Sequence, residues 1–245
     1  MLEIGCGQGL CTKVLAKAVG PNGHVDAVDP ASLDYGTPIT LEEAQKEISE
    51  SDIGDRISWH QTDPEIFVHE KSMEWDVAVL AHSIWYFETP TTLGRILKAL
   101  KGKVNKLCIA EYALQASERA AVPHLLAAIG RGFFESQRSS SENIRTPLSP
   151  SSITQRAQDA GWVLKKESIV IPQENLEDGK WEARMFGRDS VVKEVEALQA
   201  NEKVKQMILS ARDAVLRSLR VLGTSNTNLR TMDVWVSFFV RGNTP

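Results

Sequence analysis

Apolar residues change their period several times along this chain, and each change marks an element. Leu2-Glu3-Ile4 is a short apolar run broken by an acid, and Leu10, Val14, Leu15 and Ala18 then recur at helical spacing. The start therefore reads as strand, loop, helix, with Gly20-Pro21-Asn22-Gly23 stopping the helix. Residues 24–29 read as a second strand. Thr40-Leu41-Glu42-Glu43 fits a capping box for a helix to about Ser49, and residues 56–60 read as a third strand. Residues 75–81 form a continuous apolar run, as expected at the centre of a parallel sheet. A helix over 90–100 shows Leu93, Ile96, Leu97 and Leu100 on one face, and a fifth strand follows over 106–110.

From residue 113 the pattern changes. A helical piece from 117 to about 134 carries Val122, Leu125, Leu126 and Ile129, and the polar run Ser136-Gln137-Arg138-Ser139-Ser140-Ser141 follows. This is long for a plain strand-to-helix connection and reads as a cap over the strand ends. Residues 150–160 restart a helix, Gly161 ends it, and 162–171 form a sixth strand. A second insertion contains one apolar stripe, Val204, Met207, Ile208, Ala211, Val215, Leu219 and Leu222. Lys203, Lys205, Arg212, Arg217 and Arg220 are assigned to its opposite, solvated face. Residues 232–240 close the chain as an aromatic, β-branched strand. The expected architecture is one α/β domain over residues 1–245, with helical cap insertions at about 113–150 and 173–224.

Composition narrows the function classes. A net charge of -4 and a pI near 5.8 argue against a general nucleic-acid binder. Three cysteines without paired spacing suggest neither a disulfide framework nor a zinc site, and no metal ligand set is expected. Cys6 sits in a glycine loop; Cys11 and Cys108 read as buried small residues. No stretch approaches the roughly 18–20 apolar residues of a membrane span. No signal peptide is visible, so the expected location is cytoplasmic, without a membrane or nucleic-acid partner.

The candidate chemistry lies in Gly5-Cys6-Gly7-Gln8-Gly9. Glycines let backbone approach a ligand closely, and the following helix aims its positive end there. The loop lacks the third glycine of the dinucleotide fingerprint G-x-G-x-x-G and the G-K-[ST] of a P-loop. Glu3, two residues before Gly5, places a carboxylate at the strand end, where an ammonium group fits. Asp29 ends the second strand, where an acid accepts both hydroxyls of a ribose. That chemistry alone suits NAD and S-adenosylmethionine equally.

The acid followed by G-x-G-x-G resembles motif I of the class I S-adenosylmethionine-dependent methyltransferases. The resemblance covers the whole chain. It implies a Rossmann-like, seven-stranded, mostly parallel sheet with an antiparallel last strand and helices on both faces. It also implies S-adenosylmethionine as cofactor, S-adenosylhomocysteine as product, and direct displacement of the methyl group. The cofactor residues would be Glu3, Gly5, Cys6, Gly7, Gly9, Asp29, Pro30, Thr62, Asp63, Ala81 and His82, with Asp63 accepting the adenine amino group. His82 is the candidate general base. Trp85, Tyr86, Glu111, Tyr112, Phe133 and Phe134 are the candidate acceptor-binding residues. The family's helical segment before motif I is not seen ahead of Met1, so either the cofactor's cover comes from elsewhere in the chain or the pocket is more open. No Asn-Pro-Pro-Tyr-like run, glutamate pair or metal-binding Asp follows the fourth strand. These absences disfavour nucleic-acid amino-methylation, arginine methylation and a catechol-type site, and leave a small-molecule acceptor. A nicotinamide-dependent oxidoreductase and a non-catalytic, S-adenosylmethionine-binding regulatory protein remain as alternatives. The oligomeric state stays open, a homodimer being one option.

Overall fold

A computed structural model describes residues 1–139, 142–223 and 229–242. Among them, seven strands make one sheet: β1 Leu2–Ile4, β2 Val25–Asp29, β3 Ile57–Gln61, β4 Trp75–Ala81, β5 Val104–Tyr112, β6 Trp162–Val170 and β7 Val234–Arg241. Their spatial order is β3-β2-β1-β4-β5-β7-β6. β1 pairs in parallel with both β2 and β4, and β7 lies antiparallel between β5 and β6. The expected mostly parallel sheet with an antiparallel last strand is therefore present. Strand order reverses between β1 and β4, and ligands in such sheets bind beyond the carboxyl ends at that switch point.

Nine α-helices surround the sheet among the described residues: α1 Leu10–Ala18, α2 Leu41–Ser49, α3 Pro64–Glu70, α4 Pro90–Lys101, α5 Val122–Glu135, α6 Pro150–Asp159, α7 Asp178–Gly187, α8 Asp189–Glu196 and α9 Glu202–Val221. The capping box on α2 forms as its sequence suggests: Glu43 N–H donates to Thr40 Oγ1 at 3.2 Å, and Thr40 N–H donates to Glu43 Oε2 at 2.9 Å. Helix α3 lies where only a turn is expected. Its signal was an Asp at the N-cap followed by Pro at the first helical position. Asp63 Oδ1 accepts from the N–H groups of Glu65 and Ile66, and Phe67 and Val68 are buried.

Three expectations about helix faces are corrected. Leu10 and Val14 of α1 are exposed, whereas Thr12 and Ala16 point inward, because the helix packs small Ala16 against Val25 of β2 and sets Thr12 on Glu3 of β1. Met207 on α9 is exposed, outside the apolar stripe. Arg212 is buried rather than solvated: its guanidinium donates to the carbonyls of Gly187 and Arg188 and to Asp189 Oδ1, fastening the α7–α8 junction to α9. Cys11 and Cys108 are half-buried rather than buried.

Three apolar clusters account for the packing among the described residues, the smallest joining Ala16 of α1 to Val25 of β2 and Ile53. The largest joins the sheet (Leu2, Ile4, Leu80, Leu107, Phe239) to α4 and its neighbours. The second gathers Phe134 of α5, Phe186 of α7, Val195 of α8, and Ile208 and Val215 of α9. Helices from both late segments thus form one cap with its own core. Within the expected insertion bounds, Ser140, Ser141 and position 224 lie outside the described residues. Gly130 of α5 allows this packing: a Cβ there would stand 2.4 Å from the Phe186 ring. Phe186→Ala should therefore cost about 3–5 kcal/mol, measured by chemical denaturation, with the loss concentrated in the cap by hydrogen exchange.

Candidate active site

The loop after β1 holds three left-handed glycines: Gly5 at φ 74°, Gly7 at φ 50° and Gly9 at φ 82°. Two of them also permit close approach. A Cβ on Gly5 would lie 2.4 Å from Ser83 Cβ, and one on Gly9 would lie 2.6 Å from the Trp59 ring. Above Gly7 the space is open within 4 Å. The loop is pinned from several sides. Gly5 and Cys6 N–H donate to the Val28 carbonyl, Gly7 N–H donates to Asp29 Oδ2 at 2.8 Å, and Gln45 Nε2 donates to the Gly7 carbonyl at 2.9 Å. Gly9 caps α1 without a side-chain bond, so the helix presents its positive end and first-turn N–H groups beside the loop.

Glu3 is 1% exposed, and its Oε2 accepts from Thr12 Oγ1 at 2.5 Å. Burial raises its pKa, opposed by hydrogen bonds from Thr12 and Cys11. The structure thus turns this carboxylate inward, tying β1 to the first turn of α1, rather than toward an ammonium group. Asp29 ends β2; its Oδ1 accepts from Ala31 N–H at 2.9 Å, leaving each carboxylate oxygen capacity for one further donor. Beside it opens a cleft of about 150 Å³, lined by Cys6, Ala31, Leu41, Gln45 and Trp59 among others. Pro30 is exposed next to Asp29, and Thr62 N–H donates to the Asp29 carbonyl, which joins the ends of β2 and β3. Asp63 is exposed, with Oδ1 spent on capping α3. An open glycine loop, a carboxylate with spare acceptor sites and an adjoining partly apolar cleft fit an adenosine-bearing cofactor.

Beyond the ends of β4 and β5 a second group assembles. Ala81 ends β4, and His82 follows with a left-handed φ of 50°. His82 Nδ1 lies 3.4 Å from Glu111 Oε1. Burial lowers the His82 pKa, but the hydrogen bond and charge of Glu111, aided by Asp178, outweigh it and the net direction is upward. Glu111 is 1% exposed, and its carboxylate also accepts from the N–H groups of Ile84 and Tyr112. The Tyr112 ring sits 4.5 Å from His82, 5.2 Å from Trp85 and 5.0 Å from His124. Burial raises the pKa of both Tyr86 and Tyr112, and Glu111, Asp178 and Glu182 add to it.

Of the expected acceptor-binding residues, Glu111 and Tyr112 come together around His82, while Tyr86 is part exposed. Trp85 is nearly buried and donates to the Leu148 carbonyl, so it backs Tyr112. Phe133 and Phe134 are corrected. Phe134 is fully buried in the cap core with Arg138 over its ring, and Phe133 packs against the same cluster, so the cap's own packing consumes both. Sequence reasoning missed Thr12, Gln45, Ser83, His124, Asp178 and Glu182. Asp178 and Glu182 had one available signal, an i, i+4 acid pair in a segment not read as helix.

Residues 1–103 match the family described as a methyltransferase domain. The chain is 26% identical over 276 residues to methyltransferase phomM of Diaporthe leptostromiformis, covering 96% of this chain and 71% of that protein. A solved cyclopropane-fatty-acyl-phospholipid synthase-like protein from Lactobacillus casei ATCC 334 superposes with a TM-score of 0.82 at 28% identity, over 98% of this chain and 83% of that one. The cyclopropane synthase MmaA2 of Mycobacterium tuberculosis shares the fold alone, with a TM-score of 0.55 at 14% identity over 98% of this chain and 77% of that one.

Two outcomes follow from this geometry. Gly5→Ala combines strain at positive φ with a clash at Ser83 and should weaken cofactor binding by about tenfold or more, read by calorimetry. Burial pushes the Glu182 pKa up to about 7, against the pull of Arg131 and with the repulsion of Asp178 and Glu142. Between the ordinary value of 4.5 and about 7 the folded chain holds a proton that the unfolded chain has lost, so stability falls as pH rises through that window. Glu182→Gln should remove this loss, its Tm advantage over the unsubstituted protein growing from about pH 5 to about pH 8.

Proposed function

We propose that the chain is a class I S-adenosylmethionine-dependent methyltransferase that methylates a small-molecule acceptor held between the β4 and β5 ends and the cap. The likeness of residues 1–103 to a methyltransferase domain and of the chain to methyltransferase phomM favours methyl transfer over the oxidoreductase and regulatory alternatives. Within the proposal, Gly5, Gly7 and Gly9 receive the methionine part, Asp29 the ribose, and the cleft beside it the adenine. Glu3 acts underneath, holding the loop in position. The sulfonium of S-adenosylmethionine supplies the methyl group and takes back the bonding pair as the acceptor's lone pair forms the new bond.

The observation that carries the rest is the pairing of His82 with Glu111. With Nδ1 directed at Glu111, the imidazole keeps Nε2 free to take a proton from the acceptor. Glu111 is locked by two backbone N–H groups and cannot turn away, so it fixes both the tautomer and the ring plane. Tyr112 against the ring limits its motion further. Much of the acceleration in a direct displacement comes from alignment, and this group sits on strand ends, the stiffest part of the fold. No helix among the described residues is long and apolar enough to cross a membrane.

A base must be neutral to accept a proton, and Glu111 favours the charged imidazole. The rate should therefore rise with pH along a limb above the ordinary histidine value of 6.5. Glu111→Gln should move that limb to lower pH, and His82→Ala should abolish it while lowering kcat by about 10²-fold. A profile unchanged in His82→Ala would remove His82 from the chemistry.

A further inference from the structure

The chain leaving β4 carries, next to His82, a hydroxyl that the fold does not use. Ser83 is 5% exposed, and its Oγ is buried with no hydrogen-bond partner among the described residues. The ordinary reasons for a serine at this position fail. Ser83 is the N-cap of the short 3₁₀ turn Ile84–Tyr86, yet its side chain makes no capping bond. It faces Gly5 too closely for a large side chain, but alanine would fill that place equally well. Glu111 accepts from the next N–H, that of Ile84, and takes nothing from the hydroxyl. A hydroxyl withdrawn from water and left unpaired weakens the free fold, and native proteins keep such a group for a reason.

Its position supplies the reason. Ser83 Oγ would lie 3.1 Å from a Cβ built on Gly5, so it adjoins the first glycine of the loop assigned to the methionine part of the cofactor. That part is a zwitterion. Its carboxylate suits the positive end and first-turn N–H groups of α1. Its ammonium needs an acceptor, and the nearby carboxylates are committed elsewhere. Glu3 is turned inward onto Thr12, and Glu111 is 1% exposed and bonded to two backbone N–H groups. A hydroxyl offers two acceptor lone pairs and rotates to suit its partner. We propose that Ser83 is a cofactor-binding residue whose Oγ accepts a hydrogen bond from the ammonium group of S-adenosylmethionine. This rests on the cofactor role given to the glycine loop above and adds to it a residue from the β4 side of the switch point. Cofactor binding and the placement of His82 then share two consecutive residues.

The test compares S-adenosylhomocysteine with 5′-methylthioadenosine, which keeps the adenosine and the sulfur but lacks the amino-acid end. Each is titrated by calorimetry into the full chain and into its Ser83→Ala variant. S-adenosylhomocysteine should bind the unsubstituted protein more tightly than 5′-methylthioadenosine does. Ser83→Ala should weaken S-adenosylhomocysteine about tenfold and leave 5′-methylthioadenosine within about twofold. The Tm of the free variant should hold or rise, because an unpaired buried hydroxyl has been removed. Equal weakening of both ligands, or no change in either, would overturn the proposal and leave the cofactor role of the loop standing. A marked fall in Tm would overturn it too, by giving the hydroxyl to the fold. If the unsubstituted protein binds S-adenosylhomocysteine no more tightly than 5′-methylthioadenosine, the loop does not hold the amino-acid end and both readings fall.

Discussion

At the switch point of the sheet, β1 and β4 lie side by side while their following segments diverge, and the loop after β1 must pass against the residue that leaves β4. There is no room for a side chain at that crossing: Gly5 faces Ser83 closer than any Cβ could tolerate. Everything nearby is arranged to hold backbone at that distance. Glu3 anchors the loop to α1 from below through Thr12, Asp29 holds it from β2, and Gln45 holds it from α2. Glycine gives the contact and also costs conformational entropy on folding, which explains why so many separate hydrogen bonds converge on five residues. His82 follows β4 immediately before Ser83, so the same crossing sets where the imidazole stands.

The acceptor side obeys a different logic. There His124 Nε2 is buried with no partner, whereas Glu111 is fully engaged. Glu182 and His124 both sacrifice stability in the free protein, one by holding a proton, the other by staying neutral with a pKa lowered to about 3 by burial and by the nearby His82. Groups kept in this condition, at strand ends and under a cap, mark positions where folding and binding make opposing demands.

The sheet was legible because its signals are local. A buried central strand is a continuous apolar run, and Trp75–Ala81 shows it; the cofactor loop is a contiguous string of glycines beside an acid at fixed offset. The orientation of Glu3 was not legible, because it depends on Thr12 one helical turn away facing inward while Leu10 and Val14 face out, against the usual apolar preference. Phe133 and Phe134 misled for a related reason: an aromatic pair near a cap suits a pocket wall or a core equally, and only the partners on α7 to α9 decide. Those partners lie more than fifty residues later. Asp178 and Glu182 were invisible for the same reason, since the tyrosines their charge acts on belong to a different half of the chain.

The cap is drawn from distant parts of the chain. Phe134 precedes β6, whereas Phe186, Val195, Ile208 and Val215 follow it, and Met232, which binds His124, comes just before β7. The cap core is thus assembled from segments on both sides of β6, and the segment that carries Met232 reaches His124 together with β7 taking its place between β5 and β6, so closing the sheet and closing the cap are one event.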